Sequence, residues 1–182
     1  MTATHQIGNG FTMLLGGARS GKSDLAVRLA NEWDGPVVFV ATAERSDDDM
    51  TARIDRHIAE RPDHWGLLES PMLRGGELAD CDPGALVIVD CITLLVNNLI
   101  FNDRTDDQIA EHAKVMSHAL VSRPTPTLVI SNEVGLGVVP DTELGRRYRD
   151  VLGRYNRQLA SRAETTLFVA AGKAMPLLPV SW

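Results

Sequence analysis

The stretch LLGGARSGKSDLAVRLA, Leu14 to Ala30, decides the fold class. A short apolar run meets a glycine-rich turn, and an amphipathic segment follows the turn. Gly16 to Ser23 match the pattern G-x-x-x-x-G-K-[ST], in which backbone N–H groups surround a phosphate. Lys22 supplies a positive charge to the β- and γ-phosphates, and Ser23 can hold Mg²⁺ by its hydroxyl. The stretch therefore predicts a strand, a phosphate-binding loop and a helix that together bind a nucleotide.

Short apolar runs alternate with amphipathic segments along the rest of the chain. The runs FTMLLGG, PVVFVATA, ALVIVDC, PTLVISNEVG and TTLFVAA are continuously apolar, which is typical of buried parallel strands. HWGLLES, residues 64–70, predicts a further short strand. Helical spacing predicts helices over 23–33, 47–61, 106–123 and 142–163, the last with Leu144 and Tyr148 on its buried stripe. The alternation predicts an α/β fold with a mainly parallel sheet flanked by helices, and the best loop candidates are PDHWGLLESPMLRGG and LIFNDRTDD.

The composition is that of a globular domain. The chain has 182 residues, of which 44% are hydrophobic and 23% charged, so we expect one domain over 1–182 with residues 1–10 as a tail. The net charge of −6 argues against a general attraction to nucleic acid or to an anionic membrane. No apolar run reaches the roughly 18 residues of a membrane-spanning helix. Cys81 and Cys91 form no disulfide framework, and the first residues show no signal-peptide pattern, so a cytoplasmic location is expected.

Asp90 ends the apolar run ALVIVDC at the predicted carboxyl edge of the sheet. Ligands of open α/β sheets bind at that edge, and a carboxylate there can hold Mg²⁺. The alternative is an ordinary strand-end aspartate that caps the following helix, ITLLVNNLI.

His57 lies at the edge of the predicted buried face of helix 47–61, one turn beyond Ile54. The preceding strand ends at the same sheet edge as the phosphate loop, so this helix is expected to begin near the nucleotide. A neutral imidazole can attack phosphorus and form a phosphoramidate. The alternative is a boundary histidine with one hydrogen bond. The remaining histidines, His5, His64, His112 and His118, are interpreted as structural or exposed.

The motifs together resemble one family. GGARSGKS, DDDMTARIDRHIAERPDHW, VDCITLLVNNLI, SNEVGLGVVP and LGRRYRDVLGRYNRQLA are similar to the bifunctional adenosylcobinamide kinase / adenosylcobinamide-phosphate guanylyltransferase family, in order from about Thr12 to Val169. The resemblance implies a RecA-like P-loop fold with one mixed sheet and a homotrimer. It also implies two reactions. ATP or GTP phosphorylates adenosylcobinamide, and GMP then passes from GTP to an enzyme histidine and onto the new phosphate, giving adenosylcobinamide-GDP.

The resemblance also implies residue roles. It places the guanylylated histidine at His57. With the phosphate-loop and strand-end patterns above, the expected catalytic residues are then His57 and Lys22, and the expected Mg²⁺ ligands are Ser23 and Asp90. The implied nucleotide contacts are Gly16, Gly17, Ala18, Arg19, Ser20, Gly21, Lys22, Ser23, Ala41, Thr42, Ala43, Ile58, Ala59, Glu60, Arg61, Glu69 and Asp90. The Glu69 carboxylate could accept hydrogen bonds from N1 and N2 of guanine, although a surface glutamate is the alternative.

Three other functions compete with this interpretation. The first is a single-function small-molecule kinase in which His57 is structural. The second is a RecA-like ATPase that binds DNA, which the acidic composition and the lack of basic-aromatic loops argue against. A GTPase switch ranks last because the guanine-reading N/T-K-x-D string is absent from the sequence. The segment AGKAMPLLPVSW matches no family pattern, so Lys173 receives no role.

Overall fold

One seven-stranded sheet forms the centre of the described structure, a computed structural model that covers residues 10–44, 51 and 62–180. The strand order is β3-β2-β4-β5-β1-β6-β7. The strands are β1 (Phe11–Gly16), β2 (Val37–Ala41), β3 (Gly66–Glu69), β4 (Leu86–Asp90), β5 (Thr127–Asn132), β6 (Thr165–Ala170) and β7 (Lys173–Pro176). Neighbours pair in parallel except β6 and β7, which form an antiparallel hairpin. The mainly parallel, mixed sheet expected from the sequence is confirmed.

Helices cover both faces of this sheet. They are α1 (Lys22–Ala30), α2 (Gly75–Ala79), α3 (Ile92–Phe101), α4 (Asp106–Val121) and α5 (Glu143–Ala160), with a 3₁₀ turn at Val134–Leu136. Thr105 begins α4 with a capping box, since its hydroxyl accepts from the N–H of Gln108 and the Gln108 side chain accepts in return. The Thr142 hydroxyl caps α5 by accepting from the N–H of Gly145.

The core has two layers because successive strand residues point to opposite faces of the sheet. Met13 and Leu14 are both fully buried, yet Met13 packs on one face with α3, α4 and α5, and Leu14 packs on the other with α1. Ile88 and Val89 divide in the same way on β4. A strand covered on both faces needs no polar alternation, which explains the continuous apolar runs.

Most of the elements expected from the sequence are confirmed, with four differences. The loop candidate 62–76 contains β3 and the start of α2, and the loop candidate 99–107 reduces to residues 102–105 between α3 and α4. Leu144 was expected on the buried stripe of α5 but is 48% exposed, because it lies in the first turn, before the helix reaches the core at Tyr148. β7 was not expected at all. The predicted helix 47–61 lies outside the described residues except for Thr51.

Candidate nucleotide-binding site

Gly16 and Gly21 shape the phosphate loop between β1 and α1. Gly16 has φ 152°, and a Cβ placed there would lie 2.1 Å from the carbonyl oxygen of Val169. Gly21 is the N-cap of α1 with φ 98°. Both positions require glycine, the first because β6 passes so close and the second because its backbone is left-handed. The β6–β7 hairpin also holds the phosphate loop in place, because the N–H of Gly172 donates to the Ser20 carbonyl at 2.9 Å.

Lys22 is folded over this loop and only 6% exposed. Its ammonium donates to the carbonyl oxygens of Gly17 at 2.6 Å and Gly16 at 3.2 Å, and to the Ser20 hydroxyl at 3.3 Å. Burial lowers the pKa of Lys22, and the nearby Asp90 carboxylate opposes that shift. The loop therefore holds a positive charge where the sequence predicts phosphate oxygens to bind.

Ser23 and Asp90 meet beside the lysine. The Ser23 hydroxyl donates to Oδ2 of Asp90 at 3.1 Å, although the two residues are far apart in the chain. The N-cap of α3 is Cys91 and not Asp90, and the Cys91 side chain makes no capping hydrogen bond.

The paired oxygens of Ser23 and Asp90 fit Mg²⁺, which prefers hard oxygen ligands and takes few of them from protein. Within residues 10–44, 51 and 62–180, no three His, Cys, Asp or Glu side chains cluster closely enough to hold a metal by themselves. A magnesium ion here would thus share its coordination with phosphate and water. The assignment of Ser23 and Asp90 as its ligands stays a prediction.

Thr42, one of the three expected contacts at the end of β2, is fully buried. Its hydroxyl donates to the carbonyl of Cys91 at 2.7 Å and accepts from the Cys91 N–H at 2.8 Å. The Asn98 amide donates to the Thr42 carbonyl at 2.9 Å and to the Pro71 carbonyl at 2.9 Å. The Thr42 side chain thus ties β2 to the start of α3, and contact with nucleotide at Ala41, Thr42 and Ala43 stays a prediction.

Glu69 ends β3 directly beside this segment. It is exposed, and it pairs in register with Ala41, which on its other side pairs with Asp90. The sheet therefore brings Glu69, Ala41 and Asp90 to one edge. The other expected site residues, His57 and Ile58 to Arg61, lie outside the described residues.

A family model described as "Cobinamide kinase / cobinamide phosphate guanyltransferase" matches residues 12–177. The chain belongs to this family. The bifunctional adenosylcobalamin biosynthesis protein CobP of Pseudomonas aeruginosa is 42% identical over 166 residues, which cover 91% of this chain and 95% of the relative. The corresponding protein CobU of Escherichia coli is 37% identical over 174 residues, with coverage of 88% and 95%.

A solved structure from Pyrococcus horikoshii shares the fold at 11% identity, with a TM-score of 0.56 over 92% of this chain and 85% of the other. The family resemblance and the P-loop fold class inferred from the sequence are thus confirmed. Among the described residues, no helix is both long and apolar enough to cross a membrane.

The histidines of this cobinamide kinase/guanyltransferase family member behave as expected where they are described. His112 is half-buried, with Nε2 2.9 Å from the Leu73 carbonyl and Nδ1 2.9 Å from the Tyr155 hydroxyl. Nε2 therefore donates to the carbonyl, and Nδ1 accepts from the tyrosine. Burial lowers the pKa of His112, which favours this neutral form. His64 and His118 are exposed.

Two clefts were missed from the sequence. One, of about 230 Å³, lies between α1 and the β6–β7 hairpin and is lined by Gly21, Arg28 and Lys173 among others. The second, of about 380 Å³, is called the arginine groove, and its lining residues are Glu133, Gly135, Arg149, Asp150, Gly153, Arg154 and Arg157. The four-residue spacing of 149, 153 and 157 on one helix could have signalled the second cleft.

Proposed function

We propose that this protein phosphorylates adenosylcobinamide and then transfers GMP from GTP onto the new phosphate through a guanylyl-histidine, giving adenosylcobinamide-GDP. The observation that carries the proposal is the phosphate loop with Lys22 folded over it and Ser23 hydrogen-bonded to Asp90. That pairing is the machinery of phosphoryl transfer, and it occurs in a chain of the cobinamide kinase/guanyltransferase family.

In the kinase step, the loop N–H groups and the α1 N-terminus hold the phosphates of the donor. The substrate hydroxyl attacks the γ-phosphorus, the bond to the β-phosphate oxygen breaks, and a nucleoside diphosphate leaves. Lys22 offsets the negative charge that develops on the transferred group. Ser23 and Asp90 would hold Mg²⁺, which supplies further charge neutralisation when it is bound.

In the guanylyl step, an imidazole nitrogen of His57 attacks the α-phosphorus of GTP and pyrophosphate leaves. The phosphate of the acceptor then attacks the same phosphorus, and the bond to the imidazole breaks. One difficult displacement is divided into two. The Glu69 carboxylate would accept hydrogen bonds from the N1–H and N2–H groups of guanine, and adenine has no such donors. The exposed position of Glu69, beside Ala41 at the sheet edge, supports that role.

The test is GTP labelled at the α-phosphate. We expect the denatured protein to retain label that mild acid releases, because protonation of the imidazole makes it a good leaving group. His57→Ala should lose the label and adenosylcobinamide-GDP formation but keep the kinase step. His64→Ala is the matched control and should stay labelled, because His64 is exposed in the turn before β3. Label that persists in His57→Ala would show that another residue is the nucleophile.

The assembly and location remain predictions of the same proposal. A homotrimer is expected, and three exposed apolar side chains on one loop support a subunit contact there: Leu136 (73%), Val138 (93%) and Val139 (65%). Multi-angle light scattering tests the mass of the assembly. Cytoplasmic location and the lack of nucleic-acid binding are tested by fractionation and by filter binding with single-stranded DNA.

A further inference from the structure

We propose that the arginine groove binds the phosphate monoester of the phosphorylated acceptor and positions it for the guanylyl step. The inference rests on the proposed function, since the acceptor acquires its phosphate in the kinase step. It adds a binding site on α5, outside the phosphate loop and the β2–β3 edge.

The groove lies directly beside the phosphate loop. Asn156 of α5 accepts from the Ser131 hydroxyl at 2.7 Å and donates to the Asn132 carbonyl at 3.0 Å, which fixes α5 against the end of β5. The next residue, Glu133, lines the groove, and its N–H donates to the Gly16 carbonyl at 3.1 Å. Lys22 donates to that same carbonyl. The Gly16 carbonyl thus links Glu133 in the wall of the groove to Lys22, the lysine proposed to bind the donor phosphates.

The charges of the groove suit a phosphate. Arg149 is paired with Asp150 at 2.8 Å, and Arg154 is paired at 2.7 Å with Asp106, which does not line the groove. Glu133 accepts from the N–H of Gly135. Arg157 makes no side-chain hydrogen bond or ion pair with any residue in the described part of the chain. Asp150 and Asp106 thus pair with Arg149 and Arg154, and Arg157 is the lining guanidinium whose donors no described residue occupies.

The floor of the groove is open at Gly153. A Cβ placed there would meet no atom within 4 Å, so the absence of a side chain keeps the space between the arginines free. Arg149 and Arg157 lie one helical turn before and after Gly153 on the same face of α5. A guanidinium offers two parallel N–H groups, which match two oxygens of a phosphate. Arginines on both sides of an open floor can therefore hold a monoester from two directions.

This site supplies what the second reaction needs. A phosphate oxygen of the acceptor must attack the α-phosphorus of the guanylyl-histidine, forming a phosphoanhydride while the bond from phosphorus to imidazole nitrogen breaks. The attacking group must therefore be held near the enzyme-bound nucleotide after the kinase step. The arginines act as binding and positioning residues, and no proton moves through them.

The test separates the two half-reactions. Arg157→Gln should take up label from α-labelled GTP at the wild-type rate, because that step involves no acceptor. Discharge of the label by adenosylcobinamide phosphate should show a KM raised roughly tenfold or more, as expected for one charge-assisted hydrogen bond. Arg157→Lys should recover part of the loss. Arg162→Gln, an exposed arginine beyond the end of α5, is the matched control and should discharge normally. Equal KM values for Arg157→Gln and wild type would overturn the inference.

Direct binding tests the groove without relying on turnover. Equilibrium dialysis with adenosylcobinamide phosphate should give a Kd about tenfold weaker for Arg157→Gln than for wild type or Arg162→Gln. Unchanged binding in Arg157→Gln would refute the groove even if the enzyme is guanylylated. A third outcome is possible: the wild-type protein takes up no label, yet it binds adenosylcobinamide phosphate more tightly than Arg157→Gln does. That outcome would refute the guanylyl step and support the phosphate site in the arginine groove.

Discussion

Thr42→Val should destabilise the fold rather than weaken nucleotide binding, because the hydroxyl is used inside the protein. Valine has nearly the shape of threonine, but it can neither donate to the Cys91 carbonyl nor accept from the Cys91 N–H. Cys91 is 8% exposed, so water cannot replace the lost acceptor. The Cys91 carbonyl keeps a second partner, the N–H of Leu95 at 3.2 Å. The main cost is therefore one buried, unpaired N–H group.

The magnitude follows from these two bonds. An unpaired buried N–H costs about 1–3 kcal/mol, and loss of the hydroxyl donor adds about 1 kcal/mol. The additional methyl group of valine returns about 0.8 kcal/mol. We expect the free energy of unfolding to fall by about 1–3 kcal/mol. With a urea m-value of about 2 kcal/mol/M, the unfolding midpoint should fall by about 0.5–1.5 M.

The assay is urea unfolding without nucleotide, combined with measurement of GTP affinity. Thr42→Ser is the control, since it keeps the hydroxyl and should lose less stability than Thr42→Val. A Thr42→Val protein with a wild-type midpoint but weakened GTP binding would refute the reasoning. It would mean that the hydroxyl serves the nucleotide and not the fold.

Three further predictions concern the charged groups. Lys22→Ala should abolish both activities, because the described loop provides one cradle for the triphosphate; normal formation of the guanylyl-enzyme in this variant would contradict a shared site. Asp90→Asn should raise the Mg²⁺ concentration needed for half-maximal activity without unfolding the protein, and a titration curve that matches wild type would remove Asp90 from the metal site. Burial holds the pKa of His112 below its ordinary value of 6.5, so the unfolded chain binds more protons there than the folded protein does. The free energy of unfolding should therefore drop as the pH falls below about 6.5, and His112→Gln should flatten this dependence between pH 7.5 and pH 5.5 in urea unfolding.

The phosphate loop could be predicted because each of its residues acts through local chemistry. Gly16 and Gly21 have positive φ angles, which glycine adopts readily, and the Lys22 ammonium donates to a carbonyl oxygen only a few residues away in the chain. The buried strands were equally visible, since burial on both faces produces continuous apolar runs. The alignment of Asp90 with the loop also followed, because parallel strands bring their carboxyl ends to one edge.

The contacts that join distant segments could not be predicted. Thr42 bonds to Cys91, His112 to Tyr155, and Asn156 to Asn132, and no local pattern marks such partners. The arginine groove depends on how α5 packs against β5, which a helical stripe does not specify. β7 could not be predicted from the sequence for a different reason. All four of its residues are exposed, so an edge strand of this kind has no apolar pattern to reveal it.

The sheet order has a consequence for synthesis on the ribosome. β1 is the first strand to emerge, but its two partners are β5 and β6, which emerge fifth and sixth. At 5–20 residues per second, roughly ten to thirty seconds separate β1 from Val169 and Gly172, the residues that close around the phosphate loop. During that interval, the apolar strand FTMLL has no neighbours to pair with. The nascent chain therefore carries an unpaired apolar strand for most of its elongation, and its nucleotide cradle acquires a fixed shape only when the β6–β7 hairpin has emerged.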